Sequence, residues 1–343
     1  MKKRLLALML AAAAALSLSG CSGQNNNSST AQNNGGEELT KVSIVLDWTP
    51  NTNHTGMFVA KEKGYYEAAG LNVSIVQPPD NSTATQLCSS NKAQFAVDAQ
   101  DTLAPAFTSD TPMDVTAVAA LLQHNSSGII SKAGQGMDRP KGLTGNTYLT
   151  WDSPIDKAMM ENIVNKDGGD WSKVKQIPNT VTAEAQDVQQ NPDHAIWVFY
   201  GWGGINAKVN KIDVDFFYIK DLNATFDYYT PVLIANNTFL KENPQAAKAF
   251  LAATAKGYQY AIDHPDEAAD ILIKSDDTGS LNGSEELVKE SQKWMAGQYI
   301  SDAKKWGYID PARWNNFYKW LTDNKLVEKD ISSNVGFTND YLA

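Results

Sequence analysis

Five short segments hold most of the rings, amides and carboxylates with which this chain can grip a small molecule. The longest is Asp47-Trp48-Thr49-Pro50-Asn51-Thr52-Asn53-His54-Thr55-Gly56. It follows a strand-like run and opens a helical one, which places Thr52 or Asn53 at an N-cap and leaves backbone N–H groups free to meet a polar ligand. Trp48 adds a flat apolar face. Val198-Phe199-Tyr200-Gly201-Trp202-Gly203-Gly204 repeats this logic, an apolar run ending in rings and in glycines that let the backbone turn sharply. The other three are Gln123–Gly128, Trp151-Asp152-Ser153-Pro154 and Phe226-Asp227-Tyr228-Tyr229-Thr230, each at a strand end or a crossing between lobes. The candidate ligand contacts are therefore Asp47, Trp48, Asn51, Asn53, His124, Asn125, Trp151, Asp152, Tyr200, Trp202, Tyr228 and Tyr229. Such residues suit a flat heteroaromatic ligand held between rings and hydrogen-bonded at its edges. Stacking contributes roughly 1–3 kcal/mol per base-sized group, and two plates with a few hydrogen bonds reach about −8 kcal/mol, a micromolar affinity.

Other chemistries find little support. The four histidines, His54, His124, His194 and His264, are scattered, and no HExxH pair, P-loop or catalytic triad pattern occurs. The glycine run at 201–204 is not GxGxxG, because Asn206 holds the last position. Two cysteines, Cys21 and Cys88, make neither a disulfide framework nor a zinc site. Neither a metal nor a cofactor is expected. A formal charge of −10 and a pI near 4.9 argue against nucleic acid as a partner.

Alternating strands and helices must position these segments. Strands are expected at Val42–Leu46, Leu71–Val76, Phe95–Val97 and Val115–Leu122, with helices at Met57–Ala69 (weak at Gly64), Thr83–Ser90 and Thr102–Phe107. The alternation repeats through strands Asn146–Thr150, Val174–Ile177, Ala195–Tyr200 and Val214–Ile219 and helices Ile155–Lys166 and Glu184–Gln190. One more strand, Pro231–Ala235, precedes long helices at Pro244–Ile262, Glu285–Ile300 and Pro311–Leu321, with breaks at Pro265 and Gly307. The expected fold class is α/β: two lobes on parallel sheets with a helical C-terminal tail, and ligand at the carboxyl ends of the strands.

The amino terminus reads as an export signal. Lys2, Lys3 and Arg4 precede an apolar run from Leu5 to Leu18, too short for a comfortable membrane span. Leu18-Ser19-Gly20-Cys21 resembles the bacterial lipobox, which implies cleavage before Cys21 and a lipid on its thiol, and leaves a mature charge of −13. Residues 21–38, rich in Asn, Ser, Gln and Gly, are expected to form a disordered tether spanning roughly 20–25 Å. Cys88, left alone, is expected to be a small buried apolar residue.

Taken together, Leu46–Gly56, Lys63-Gly64-Tyr65-Tyr66 with Gly70-Leu71, Gln123–Gly128, Trp151–Pro154, Phe199–Trp202 and Asp227–Pro231 resemble the solute-binding lipoproteins of ABC importers, in the ThiY-like, SsuA/NMT-type branch that binds pyrimidine precursors of thiamine. The resemblance spans nearly the whole mature chain. It implies a periplasmic-binding-protein type II fold with two crossover hinges, lobe 1 at 39–124 plus 231–343 and lobe 2 at 125–230. It also implies a monomer outside the cytoplasmic membrane, anchored through Cys21, serving an ABC permease and its ATPase. The ligand so implied is a formylaminopyrimidine or hydroxymethylpyrimidine type precursor. Gly203 departs from the pattern, since relatives commonly carry Glu there, and riboflavin or another flat heterocycle is the alternative ligand. The fungal enzymes that make hydroxymethylpyrimidine phosphate also resemble the chain at the first segment. Their cysteine-rich run is replaced here by Asp227-Tyr228-Tyr229-Thr230, and they lack an export signal. The expectation is a binding protein, not an enzyme.

Overall fold

The computed structural model describes residues 38–79 and 82–343; the apolar leader 1–20, Cys21 and the tether up to residue 37 lie outside the described residues. Two five-stranded sheets organise the body, which forms one compact unit from Glu38 to Ala343. The first sheet contains β1 (Thr40–Val45), β2 (Leu71–Val76), β3 (Phe95–Asp98), β4 (Val115–Ala120) and β10 (Val232–Asn236). The second contains β5 (Ser127–Lys132), β6 (Thr147–Thr150), β7 (Lys175–Pro178), β8 (His194–Phe199) and β9 (Val214–Tyr218). The inner strands bury apolar runs, as expected of strands covered on both faces: Val42, Ile44 and Val45 of β1 and Ala195 to Val198 of β8 are all buried, while β1 begins with the exposed Thr40 and Lys41.

The sheets are mixed, which corrects the expectation of parallel ones. Their orders are β2-β1-β3-β10-β4 and β7-β6-β8-β5-β9. In the first, β10 runs antiparallel to β3 and β4; in the second, β5 runs antiparallel to β8 and β9. In each sheet the reversed strand is the one that follows a passage from the other. β5 escaped sequence reading because only Ile129 and Ile130 mark it, among Ser127, Gly128, Ser131 and Lys132. The two crossings between the sheets run through 121–126 and 219–231.

The helix expected over Met57–Ala69 is two, Thr55–Glu62 and Tyr65–Ala68, parted at Gly64, whose φ of 68° lies in the left-handed region. Thr83 caps the helix Ala84–Ser89 through a capping box with Gln86. The tail forms helices Pro244–Asp263, Pro265–Ser275, Glu285–Met295 and Pro311–Asp323, so Pro265 starts a helix of its own rather than only ending one. Helix Pro244–Asp263 lies directly on Thr55–Glu62, where Gly257 meets the Gly56 carbonyl with no room for a Cβ. Cys88 is fully buried, and burial pushes its thiol far above the ordinary range. No helix among the described residues is long and apolar enough to cross a membrane.

Candidate ligand cleft

Loop 47–54 leaves the carboxyl end of β1 and is locked by its own polar groups. The Asn51 backbone N–H donates to His54 Nδ1 at 3.2 Å, so Nε2 carries the proton and donates to Asp47 Oδ1 at 2.8 Å. Asn51 Oδ1 accepts from the Asn53 N–H at 2.9 Å. His54 itself occupies the N-cap position of helix Thr55–Glu62 without a side-chain cap bond, so neither Thr52 nor Asn53 caps it. The reason is that both histidine nitrogens and the Asn51 amide are already engaged in shaping the turn.

The helical tail holds this loop against the second sheet's contribution. Tyr299 Oη donates to the Thr52 carbonyl at 2.7 Å and Tyr258 Oη to that of Asn53 at 2.6 Å. Thr52 Oγ1 donates to Ser291 Oγ at 2.6 Å, because the Ser291 hydroxyl proton is directed to the Gly201 carbonyl. Helix Glu285–Met295 thus ties the Trp48 loop to the π-helical turn Tyr200–Gly204 that ends β8. That turn is tight. A Cβ on Gly203 would stand 2.8 Å from Val198 Cβ and one on Gly204 2.6 Å from the Tyr200 ring. A side chain at position 203 would therefore start against Val198, and Val198 or the turn must shift to admit it. Gly203→Ala should lower the melting temperature by a few degrees, at a cost of about 1–3 kcal/mol of overpacking, read by differential scanning calorimetry; an unchanged transition would show that Val198 yields freely.

Trp151 reaches the cleft from the end of β6. Asp156, in the first turn of helix Pro154–Lys166 capped by Ser153, accepts from Tyr148 Oη at 2.5 Å, from the Thr150 hydroxyl and from the Trp151 N–H at 2.8 Å. Burial pushes its carboxyl above the usual range, and the three donors oppose that rise. Asp152 instead pairs with Lys157 on the surface and has a φ of 61°.

Six of the twelve predicted contacts meet around one hollow of about 320 Å³: Asp47, Trp48, Asn51, Asn53, Trp151 and Trp202. Trp197, Val198, Phe199, Gly203 and Glu184 complete its wall. Trp48 and Trp151 are 54% and 56% exposed, so their faces are available to a guest. A larger hollow of about 780 Å³ shares Asp47 and Trp48 and continues over the ends of β2 and β3 past Asp98. Sequence reading missed Glu184 and Trp197, and nothing in their local pattern marks them: one opens a surface helix and the other lies inside an apolar strand. Burial pushes the Glu184 carboxyl above its ordinary range.

The other six lie elsewhere. Tyr228 is buried and stacked on Phe317 at 4.2 Å, and Tyr229 is buried with its hydroxyl accepting from the Asp310 N–H at 2.8 Å. Asn125 is buried, donating to the Phe226 carbonyl at 2.9 Å. Tyr200 packs among Phe216, Tyr218 and Trp294 behind the π-helical turn. These rings are engaged by one another and by the helical tail, so none of them lines the hollow. Asp152 stays on the surface with Lys157.

His124 clasps the two crossings. Its Nδ1 lies 2.6 Å from Asp227 and its Nε2 3.0 Å from Asp302, while the Asn125 N–H also donates to Asp227 at 2.9 Å. Two carboxylate partners favour the doubly protonated ring. The hydrogen bond to Asp227 raises the His124 pKa above its ordinary 6.5, against burial and the nearby Arg313. Burial alone would raise Asp227, but His124 and the Asn125 amide hold it below the usual carboxylate range. A histidine whose folded pKa is raised contributes stability that is complete below its unfolded value and is lost as pH climbs through the folded one. Wild-type stability should therefore fall relative to His124→Gln as pH rises from 5.5 to 8.5, measured by urea unfolding; parallel curves would refute the clasp.

Comparison with known proteins places this arrangement. Residues 51–268 match the family described as NMT1/THI5 like. The formylaminopyrimidine-binding protein of Halalkalibacterium halodurans is 26% identical over 303 residues, covering 88% of this chain and 91% of that protein. The 4-amino-5-hydroxymethyl-2-methylpyrimidine phosphate synthase THI11 of Saccharomyces cerevisiae is 25% identical over 316 residues, 88% of each chain. The periplasmic nitrate-binding protein NrtA of Synechocystis PCC 6803 superimposes with a TM-score of 0.65 at 15% identity, covering 89% of this chain and 87% of that one, which shows a shared solute-binding-protein fold. With the family match running over most of the folded body, from the Trp48 loop's Asn51 into the helical tail, the chain belongs to the NMT1/THI5-like family.

Proposed function

We propose that this protein is the solute-binding component of an ABC importer and that its cleft takes an aminopyrimidine precursor of thiamine, of the formylaminopyrimidine or hydroxymethylpyrimidine type. The observation that carries the reading is the 320 Å³ hollow walled by Trp48, Trp151, Trp197 and Trp202, with Asp47, Asn51, Asn53 and Glu184 among its polar groups. Its volume suits one substituted ring, at the small end of ligand pockets, and a three-ring flavin would have to spread into the larger hollow. Lobes at 39–124 plus 231–343 and at 125–230 close on the ligand by bending at the crossings, biased by tighter binding to the closed form. The protein acts as a monomer outside the cytoplasmic membrane, anchored by lipid on Cys21, and delivers its ligand to a permease driven by an ATPase.

The family also contains relatives named as synthases of a phosphorylated pyrimidine. Two features favour the binding role. A histidine that reacts needs a free ring nitrogen, and His54 is fully buried with both nitrogens engaged by Asn51 and Asp47. A phosphorylated product is held most strongly by Arg or Lys, and neither hollow has Lys or Arg among its described lining residues. Calorimetric titration with formylaminopyrimidine should give a dissociation constant of micromolar or tighter and no turnover by mass spectrometry. Absence of binding, or conversion of the ligand, would overturn the reading.

A further inference from the structure

The small hollow holds two carboxylates in different situations. Asp47 already receives the His54 N–H. Among the described residues Glu184 receives only its own backbone N–H, and its partial burial pushes the carboxyl above the ordinary range. A partly desolvated carboxylate without a counter-charge costs free energy in the empty protein, so it stands to gain from a donor brought by a ligand. The same hollow is lined by four indoles, Trp48, Trp151, Trp197 and Trp202, and indole faces attract positive charge. The adjoining larger hollow adds Asp98, and no Lys or Arg lines either space among the described residues. Rings and two acids concentrate in the small hollow, a setting that favours a donor-rich edge able to take a proton over an anion.

Building on the aminopyrimidine reading, we propose that Glu184 is the specificity-determining residue of the cleft: it receives the amine-and-ring-nitrogen edge of the ligand as a proton-sharing pair and sets the site against phosphorylated heterocycles. The proton count follows from the partners. At pH 8 the free aminopyrimidine is neutral and Glu184 is ionised. The pair they form holds one extra proton, taken from solvent, between the ring nitrogen and one carboxylate oxygen, and the exocyclic amine donates to the other. Burial raises Glu184's affinity for that proton before the ligand arrives. A phosphate ester would instead bring about −1.5 to −2 charges next to Asp47, Asp98 and Glu184 with no base to meet them.

The test is calorimetry on the full chain at pH 8 with 4-amino-5-hydroxymethyl-2-methylpyrimidine, repeated in buffers of different ionisation enthalpy. Binding should take up close to one proton per ligand, and the phosphate ester of the same pyrimidine should bind at least 100-fold more weakly. Glu184→Gln, which keeps size and shape, should weaken binding at least tenfold and abolish the proton uptake. If the wild-type chain binds no aminopyrimidine at all, the functional reading itself fails. If it binds without proton uptake, or binds the phosphate ester equally well, the role of Glu184 is overturned while the functional reading stands; these two measurements need no variant to fold.

Discussion

Trp48→Ala should weaken aminopyrimidine binding by about 5- to 150-fold, the equivalent of 1–3 kcal/mol for one lost stacking plate, and leave the melting temperature nearly unchanged. The two halves of this expectation come from one fact, the 54% exposure of Trp48 at the rim of the hollow. A side chain that exposed contributes little buried area to folding, so its removal costs little stability. Its free face is what a planar guest covers. The loop keeps its shape without it, because the His54–Asp47 and Tyr299–Thr52 bonds do not involve the indole. Tyr229→Ala is the contrast: Tyr229 is fully buried beside Trp314, so its loss should lower the unfolding midpoint and affect affinity only through folding. Calorimetric titration beside thermal unfolding checks both, and equal affinities for wild type and Trp48→Ala would remove Trp48 from the site.

Asp156→Ala should be among the most destabilising single changes in the second sheet's half of the molecule, costing about 2–4 kcal/mol. The carboxyl satisfies three donors at once, and two of their owners, Tyr148 and Thr150, are almost fully buried. Removing the acceptor leaves those donors desolvated without a partner, at about 1–3 kcal/mol for each unsatisfied group, with some relief from repacking. Asp156→Asn keeps one acceptor oxygen and should fall between. Because Trp151 hangs from the same carboxyl through its backbone N–H, the alanine variant should also weaken ligand binding by loosening that indole. Urea unfolding checks the first effect and titration the second. A wild-type unfolding midpoint in Asp156→Ala would refute the network's importance.

Much of the fold was legible locally. Leu71–Val76 and Glu184–Gln190 appear with the boundaries their periodicity predicts, and Gly64 breaks its helix as expected. Those elements are specified by near neighbours: alternating or helical apolar spacing, a left-handed glycine, a capping residue. β5 and the antiparallel placement of β5 and β10 were not legible, since strand direction depends on which sheet the chain enters after a crossing, and no residue of Ser127–Lys132 encodes that by itself.

For the site the division is sharper. The residue types alone established that strand-end loops carry indoles, amides and carboxylates, and that no metal or nucleotide motif competes with them. Which of those groups share one space was decided only by the tertiary structure. Trp48, Trp151 and Trp202 converge on the same hollow from three separate chain segments. Tyr228 and Tyr229, equally plausible as rings, turn inward to stack on the helical tail. Glu184 joins the cleft from a helix whose sequence looks like any solvated surface. The physical reason is that spacing along the chain specifies which face a residue shares with its near neighbours. Which distant face it meets is set by how the two sheets and the tail pack, and burial, pairing and charge at the cleft all follow from that packing.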